Sequence, residues 1–341
     1  MRLKNLVSSS KTYIHNVTDG TLFNIIRSDP VLSKYDYIFI DEVHERSINI
    51  DHLLLYLRTV SPRILCRLKL TIQLLRSGKR PTLHLVLLSA TGDFVRLGEY
   101  FSIDHEKAIT LPSLPHQVKV VYATKPIKDL VVFSLETVKR IYLEEKCTGD
   151  TLIFAWGQDQ VKDIMKKINE WINTSKVSLP DFQVFPFFRD LPKEEKDNAT
   201  SEPSYDPKEF DHRPIKIIVS TNIAETSITF PFLERVVNLG LAKEKTYDAI
   251  ENRSRLLASP ISKSAEIQRA GRVGRTRPGT VYHGYTEETS KKLQPHHSPS
   301  AVREDLTEAL FLRLSLSSYL KKAGIEGGLW DELPGKSLML R

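Results

Sequence analysis

Hydrophobic positions recur along this chain in two rhythms that take turns. Short apolar runs, rich in β-branched and aromatic residues, stand at 37–40, 83–88, 118–122, 151–154, 183–188, 215–219 and 279–285, the lengths expected of strands. Between them lie stretches with apolar residues at helical spacing: 21–27, 51–58 with Leu53, Leu54 and Leu57 on its inner side, 69–76, 131–145 and 160–171. The run at 83–88, Leu-His-Leu-Val-Leu-Leu, is almost unbroken, as a parallel strand covered on both faces would be. A β-branched segment at 12–17 suits a further strand, and 241–259 suits a β-hairpin. Residues 190–213, polar and holding three prolines, read as a long surface loop. Strand and helix in alternation predict an α/β protein built on parallel sheets. The break at 112–115, Pro-Ser-Leu-Pro, predicts a boundary between two lobes.

Composition changes this picture little. The chain has 341 residues, 40% hydrophobic and 27% charged, which suits about two domains with filled cores and excludes a largely disordered chain. A net charge of +7 suits a polyanionic partner. Cys66 and Cys147 are the only cysteines, too few for a zinc site or a disulfide framework, so a reducing compartment is expected. No apolar run reaches 18 residues and no cleavable signal is visible, which argues against membrane spanning and secretion.

Candidate chemistry lies at the polar ends of the strands. Residues 268–275 read Gln-Arg-Ala-Gly-Arg-Val-Gly-Arg, with Arg269, Arg272 and Arg275 at steps of three. On one helix such steps share a face, so the arginines would converge on one pole, and Gly271 and Gly274 would leave room for phosphate oxygens or a second backbone. A pole of this kind neutralises a γ-phosphate during phosphoryl transfer; a solvated basic helix is the plainer reading. Asp41 and Glu42 follow the 37–40 run, at the carboxyl end of a strand, where ligands bind in open α/β sheets. One carboxylate can hold Mg²⁺ while its neighbour orients or deprotonates a water; a helix-capping acidic pair is the alternative.

Four motifs occur in order: Thr18-Asp19-Gly20 aside, they are Asp41-Glu42-Val43-His44, Ser89-Ala90-Thr91, residues 220–227 (Ser-Thr-Asn-Ile-Ala-Glu-Thr-Ser) and the arginine run. Together they resemble the DEAH-box ATP-dependent RNA helicases. The resemblance implies two RecA-like lobes, the first truncated, at 1–114 and 115–290, followed at 291–341 by the start of a winged-helix domain. It implies ATP and Mg²⁺ as cofactors and RNA as partner, alongside an activating or ribonucleoprotein partner. Asp41 would hold Mg²⁺ through water, Glu42 the attacking water, and His44 would contact Ser89 and Thr91, which report nucleotide state to the RNA path. Gln268 would help place the water, Arg272 and Arg275 would meet the γ-phosphate, and Ser227 and Asn238 would lie near the nucleotide. Thr18, Thr221 and Asn222 would touch RNA, although Thr18 serves equally well as a helix cap. The 241–259 hairpin would stand as a wedge against RNA bases, and a plain surface hairpin is the alternative. Ribosome assembly or splicing, in the nucleus or nucleolus, is the setting that the resemblance implies.

Three departures matter. No Gly-x-x-x-x-Gly-Lys-[Ser/Thr] loop occurs in the 341 residues, and only 17 precede Thr18, so the chain is expected to be a fragment that hydrolyses ATP negligibly alone. Residues 197–201 offer no aromatic to stack on a nucleotide base, and Asn238 stands where the family has an aspartate. A catalytically inactive RNA-binding scaffold with a helicase-like body is therefore the rival expectation, and a module that depends on a partner to cover its sheet edge is a third.

Overall fold

The alternation of strands and helices becomes parallel sheets with helices on their faces. The computed structural model describes residues 13–29, 32, 34–60, 83–89, 94–104, 106, 108–111, 116–201, 213–225, 228–248, 250–305, 307 and 314. Contacts divide the chain into two compact units, one formed by 1–107 with 298–341 and the other by 108–297.

In the first unit, helix α1 (Asp19–Ser28) begins at Thr18, whose hydroxyl accepts the Thr21 N–H, and it buries Leu22, Phe23 and Ile26. Strand β1 (Tyr37–Ile40) pairs in parallel with β2 (His84–Leu87), Tyr37 opposite His84 through Ile40 opposite Leu87. One face of β1, Ile38 and Ile40, enters a core with α1 and α2 (Ile48–Val60). Leu53, Leu54 and Leu57 of α2 are buried there, and so are Leu55, Tyr56 and Asp51, so this helix is enclosed well beyond one stripe. Asp51 is tolerated because Arg46 grips it with two hydrogen bonds of 2.6 and 3.1 Å. Strand β2 departs from the doubly covered strand expected of its composition: His84 is exposed and the rest only half-buried, since β2 pairs with β1 alone among the described residues. Residues 13–17 form no strand either, and Tyr13 and Ile14 stand in solvent; β-propensity without a partner strand does not hold a segment extended in a sheet. Helix α3 (Phe94–Phe101) completes the unit, joined by α9 (Ser300–Arg303), whose Ser300 N–H donates to the Arg46 carbonyl. The expected helix at 69–76 lies outside the described residues, and of 291–341 only 291–305, 307 and 314 lie within them.

The second unit carries a six-stranded parallel sheet in the order β3-β10-β7-β4-β6-β5. Its strands are β3 (Val118–Tyr122), β4 (Asp150–Phe154), β5 (Phe182–Phe187), β6 (Ile215–Ser220), β7 (Leu233–Asn238) and β10 (Gly279–His283). Central β4 and β6 are buried at every position, so neither shows alternation. On one face Ile153, Ile217, Val219, Val237 and Tyr282 pack under α4 (Leu130–Lys139) and α5 (Gln158–Thr174). On the other, Leu152, Phe154, Ile218, Val236 and Val281 meet Phe187, Ala224, Phe230 and Val273. Helix α4 runs on into one π-helical turn, Arg140–Glu144.

The stretch expected to be a loop at 190–213 instead contains helix α6 (Lys193–Thr200). Its tertiary support is Lys216 of β6, whose ammonium donates to the carbonyls of Asn198 (2.5 Å) and Ser201 (2.6 Å) at the helix end. Burial pulls the Lys216 pKa below its ordinary value, against the pull of Asp150. The hairpin of β8 (Leu241–Asp248) and β9 (Arg253–Pro260) pairs antiparallel from Leu241 opposite Pro260 to Asp248 opposite Arg253. Helices α7 (Lys263–Ala270) and α8 (Glu287–Lys291) flank β10 in sequence.

Gly279 opens β10 where no side chain fits: an added Cβ would lie 2.5 Å from Val273 Cβ and 2.9 Å from the Glu234 carbonyl oxygen. Gly279→Ala is therefore expected to destabilise the second unit by about 1–3 kcal/mol. Gly20→Ala, with nothing within 4 Å of the new methyl, should be neutral or mildly stabilising. Denaturant midpoints of the two variants measure the difference.

Candidate functional site

The acidic loop of the first unit is an extension of the β1–β2 pairing. Past the strand ends, Leu88 N–H donates to the Ile40 carbonyl (2.9 Å) and Val43 N–H to the Leu88 carbonyl (3.1 Å). Asp41 and Glu42 are thus delivered at the carboxyl end of β1, with Val43 anchored in the core behind them. The turn that follows is tight, with Glu42 at φ 53° and Arg46 at φ 48°, both left-handed and unfavourable for residues with a Cβ. It is held by Glu45 N–H on the Glu42 carbonyl (3.0 Å) and by the Arg46–Asp51 pair. Asp41 is exposed, one carboxylate oxygen accepting the Glu42 N–H at 2.9 Å. His44 Nδ1 lies 3.4 Å from Glu42 Oε2 and 3.2 Å from Ser89 Oγ. The loop therefore joins the acidic pair to the end of β2, where Ser89 sits; Thr91 lies outside the described residues. Thr18 and Asp19 are spent locally: Thr18 caps α1, and Asp19 accepts hydrogen bonds from Asn49 (3.0 Å) and the Gly20 N–H (2.7 Å).

A hard divalent cation fits Asp41. Mg²⁺ takes one or two carboxylates and completes its octahedron with water and substrate phosphates, so an exposed carboxylate on a braced loop is a suitable donor. Among the described residues no group of three or more His, Cys, Asp or Glu forms an all-protein cage.

In the second unit the arginine run does not share one helix face. Helix α7 ends at Ala270, Gly271 closes it with its N–H on the Ile267 carbonyl (2.8 Å), and Gly274 turns the chain at φ 79°. Gly274 is thus required by a turn, and the three arginines take three environments. Arg269, on the helix, is wholly buried. Its Nε donates to Glu225 Oε1 (2.7 Å), Nη1 to Asn238 Oδ1 (2.8 Å) and Nη2 to the Leu241 carbonyl (3.2 Å), with its face 4.8 Å from the Phe154 ring. Arg272, also buried, donates to the carbonyls of Glu225 (2.7 Å) and Ile228 (3.1 Å). Arg275 is exposed, with Nε on the Gly271 carbonyl at 3.0 Å. Gln268 is half-buried on the helix.

Glu225 is therefore held from both sides, its carboxylate by Arg269 and its carbonyl by Arg272. That staples the loop at the carboxyl end of β6 to the arginine turn. Thr221 in this loop donates its N–H to the Phe187 carbonyl (3.0 Å) and accepts Ser220 Oγ (2.8 Å) and the Ala224 N–H (3.3 Å) on its own carbonyl. Asn222 is exposed and Ser227 lies outside the described residues. Glu225 and Arg269 were not singled out as a pair by sequence reasoning, since 44 residues separate them and only their acid and base character hints at pairing.

Asn238, the last residue of β7, is completely buried. Its Nδ2 donates to Tyr285 Oη (3.0 Å) and meets His283 Nδ1 (3.2 Å), while its Oδ1 accepts the Gly240 N–H (3.0 Å) and Arg269. Its amide is thus used inside the protein. His283 stacks on Tyr122 (4.7 Å between centroids) and meets Tyr285 at a tilt of 45° (4.9 Å). Receiving Asn238 on Nδ1, it carries its proton on Nε2, which faces Glu266 Oε1 at 3.8 Å. Burial pushes the His283 pKa down from 6.5 to about 4; Glu266 opposes that shift, and the charges of Lys263 and Arg269 add to it. Burial alone would raise the pKa of Glu266, but hydrogen bonds from Lys263 and Ser290 and the His283 charge hold it below its ordinary value.

Residues 134–277 match the family model for the helicase conserved C-terminal domain. That segment lies within the second unit and contains β4 to β9, α7 and the arginine turn. Among solved structures, the crystal structure of the E. coli DExH-box NTPase HrpB is similar at a TM-score of 0.63 and 24% sequence identity, over 87% of this chain and 33% of that one. The chain thus spans about a third of the length of that structure. The likeness establishes the fold: mixed α/β with a six-stranded parallel sheet of the RecA-like helicase type. No helix among the described residues is long and apolar enough to cross a membrane.

Two outcomes test the second unit's polar core. Because the folded His283 takes its proton only near pH 4 while an unfolded one does so near 6.5, its contribution is complete above pH 6.5 and is lost as pH falls towards 4. Glu266, also held low, adds to the loss below its ordinary 4.5. Denaturant midpoints should therefore fall between pH 7 and pH 5, and less steeply in His283→Gln. Arg269→Ala, which strands Glu225 and Asn238, should cost about 3–5 kcal/mol, whereas Arg275→Ala should change stability by less than about 0.5 kcal/mol.

Proposed function

We propose that this chain is part of a DEAH-box ATP-dependent RNA helicase, coupling ATP hydrolysis to movement on RNA or to remodelling of RNA–protein complexes. The observation that carries this reading is the grip on Glu225. Within the segment that matches the helicase C-terminal domain, Arg269 and Arg272 hold the carboxylate and carbonyl of one residue. The loop bearing Thr221 and Asn222 and the turn bearing Arg275 thereby become one piece. A motor needs such a piece, since a change at the phosphate must be felt on the nucleic acid strand without slack.

On this reading Asp41 would hold Mg²⁺ through water, the ion supplying charge neutralisation at the phosphates, and Glu42 would accept the proton of the water that displaces ADP from the γ-phosphorus. Gln268 orients that water. By the resemblance Arg272 and Arg275 would meet the γ-phosphate; Arg275 is exposed, whereas Arg272 is bonded to the carbonyls of Glu225 and Ile228. Ser89, in contact with His44, and Thr91 would report the nucleotide state to the RNA path, and Thr221, Asn222 and, beyond its capping bond, Thr18 would touch RNA. Ser227 and Asn238 belong to the nucleotide side of the same reading, Asn238 acting from behind by fixing Arg269. The hairpin carries exposed Leu256 and Leu257 on opposite faces and exposed Ile250 near its turn, and on this reading it would stand as a wedge against RNA bases. Ribosome assembly or splicing in the nucleus, with an activating protein partner, is the proposed setting.

The 341 residues contain no phosphate-cradling glycine loop, so the purified chain is expected to bind RNA and to hydrolyse ATP negligibly. Fluorescence anisotropy with a single-stranded oligonucleotide should show affinity that falls as salt rises, and Asn222→Ala should weaken it several-fold at an unchanged melting temperature. Binding indifferent to both salt and Asn222→Ala would sink the RNA path. RNA-stimulated ATP turnover abolished by Glu42→Gln would overturn the expected inactivity. The enclosure of Asn238 favours a second reading, an RNA-binding scaffold, which predicts that ATP with Mg²⁺ leaves RNA affinity unchanged in a longer chain that includes a glycine loop.

A further inference from the structure

The geometry points to a second ligand site in this protein: an oxyanion pocket on the second unit's sheet, at the end away from Asn238 and His283. Parallel pairing sets Thr280 of β10 directly between Lys119 of β3 and Arg235 of β7. In-register residues of neighbouring strands share a face, and with strands about 4.8 Å apart the two cations flank the hydroxyl at a span of roughly 10 Å. Lys119, Thr280 and Arg235 join Gln117, Pro278 and Gly279 around one cavity of about 380 Å³.

The cavity exists because the helix layer stops short. The same rung continues from Arg235 to Thr151 of β4, which is wholly buried and hydrogen-bonded to Tyr142 Oη at 2.7 Å. Over β10 and β3 the rung is uncovered, with Thr280 half-buried and Lys119 exposed.

Charge there is unbalanced. Arg277 pairs with Glu234 (2.9 Å) and Arg140 with Glu145 (3.2 Å), so both nearby carboxylates already have a close partner. Arg235 stands further off, 3.8 Å from Glu145 and 3.7 Å from Glu234. Its Nη1 is bonded to the Glu234 carbonyl (3.2 Å), but its buried Nε–H makes no hydrogen bond among the described residues. Lys119 forms no ion pair among those residues, and the Thr280 hydroxyl makes no hydrogen bond among them. Four cations against two carboxylates leave a positive surplus around the recess, and an oxygen anion held by Lys119 and the Thr280 hydroxyl would offset it.

The ligand is a single oxyanion, a carboxylate or a phosphate. The site stands apart from the proposed helicase chemistry. Tyr122, His283 and Asn238 are the last residues of β3, β10 and β7, whereas Lys119, Thr280 and Arg235 lie about three residues, or roughly 10 Å, nearer the amino ends of the same strands.

Amide NMR of the whole chain tests this, with two probes titrated separately at constant ionic strength: inorganic phosphate and a short acetylated Asp-Glu peptide. Saturable shifts confined to the amides of 117–119, 235, 279 and 280 are expected with at least one probe. Saturation by phosphate alone identifies a small-ion site; saturation by the peptide identifies a carboxylate of a protein partner. Lys119→Glu, at an exposed position, should weaken binding at least tenfold without changing the melting temperature. Thr280→Val should weaken it several-fold at unchanged net charge. Failure of both probes to saturate, or shifts that survive both substitutions, would overturn the proposal whatever the outcome of the RNA and ATP experiments.

Discussion

A guanidinium with no exposure to solvent must have its donors met inside the protein, and in this molecule Arg269 is that group. Its acceptors come from three places: the carboxylate of Glu225 beyond β6, the amide of Asn238 at the end of β7, and the Leu241 carbonyl where the hairpin begins. Once those are bonded, the loop, the strand end and the root of the hairpin stand in fixed relation to α7. Arg272 repeats the constraint by taking the carbonyl of the same glutamate. Arg275 is left exposed at the edge of a rigid assembly. Rigidity of that kind is what lets one charged side chain report on another segment's position.

The acidic loop of the first unit is organised by a different device. Two left-handed residues, Glu42 and Arg46, sharpen a turn that glycine would make more cheaply. The strain is offset by Val43 in the core, by hydrogen bonds that extend the β1–β2 ladder, and by the bidentate hold of Arg46 on buried Asp51. Outliers at carboxylates on the end of a parallel strand are the kind that recur at functional sites, and the contact between His44 and Ser89 extends the loop to the neighbouring strand.

The second unit's sheet also shows how a parallel sheet separates its two ends. All carboxyl ends gather on one side, so Tyr122, Asn238 and His283 meet there and, with Tyr285 and Glu266, build one bonded polar core. All amino ends gather on the other, where Lys119 and Arg235 flank Thr280. The same strands thus carry two chemistries that do not compete for space.

How much of this was legible beforehand depends on the range of the interaction. Most strand and helix positions in the second unit, though not β7, follow from local periodicity, and so does the α/β class, because burial on one or both faces leaves its mark on consecutive residues. The cap at Thr18 and the acidic pair after 37–40 are local as well. Helix α6 was hidden because it is polar and its support comes from Lys216, outside the helix in sequence. The segment at 12–17 misled because strand propensity without a neighbour has nothing to bond. The arginines defeated extrapolation because a step of three implies a shared face only while the helix lasts, and Gly271 ends it. Sequence by itself determined which residues carry charge and most of the segments that become strands, missing β7 and wrongly including 12–17. Tertiary structure alone decided that Arg269 is buried and Arg275 exposed, that Asn238 is enclosed, and that Lys119 and Arg235 face one hydroxyl, because those outcomes rest on acceptors and neighbours tens of residues away in the chain.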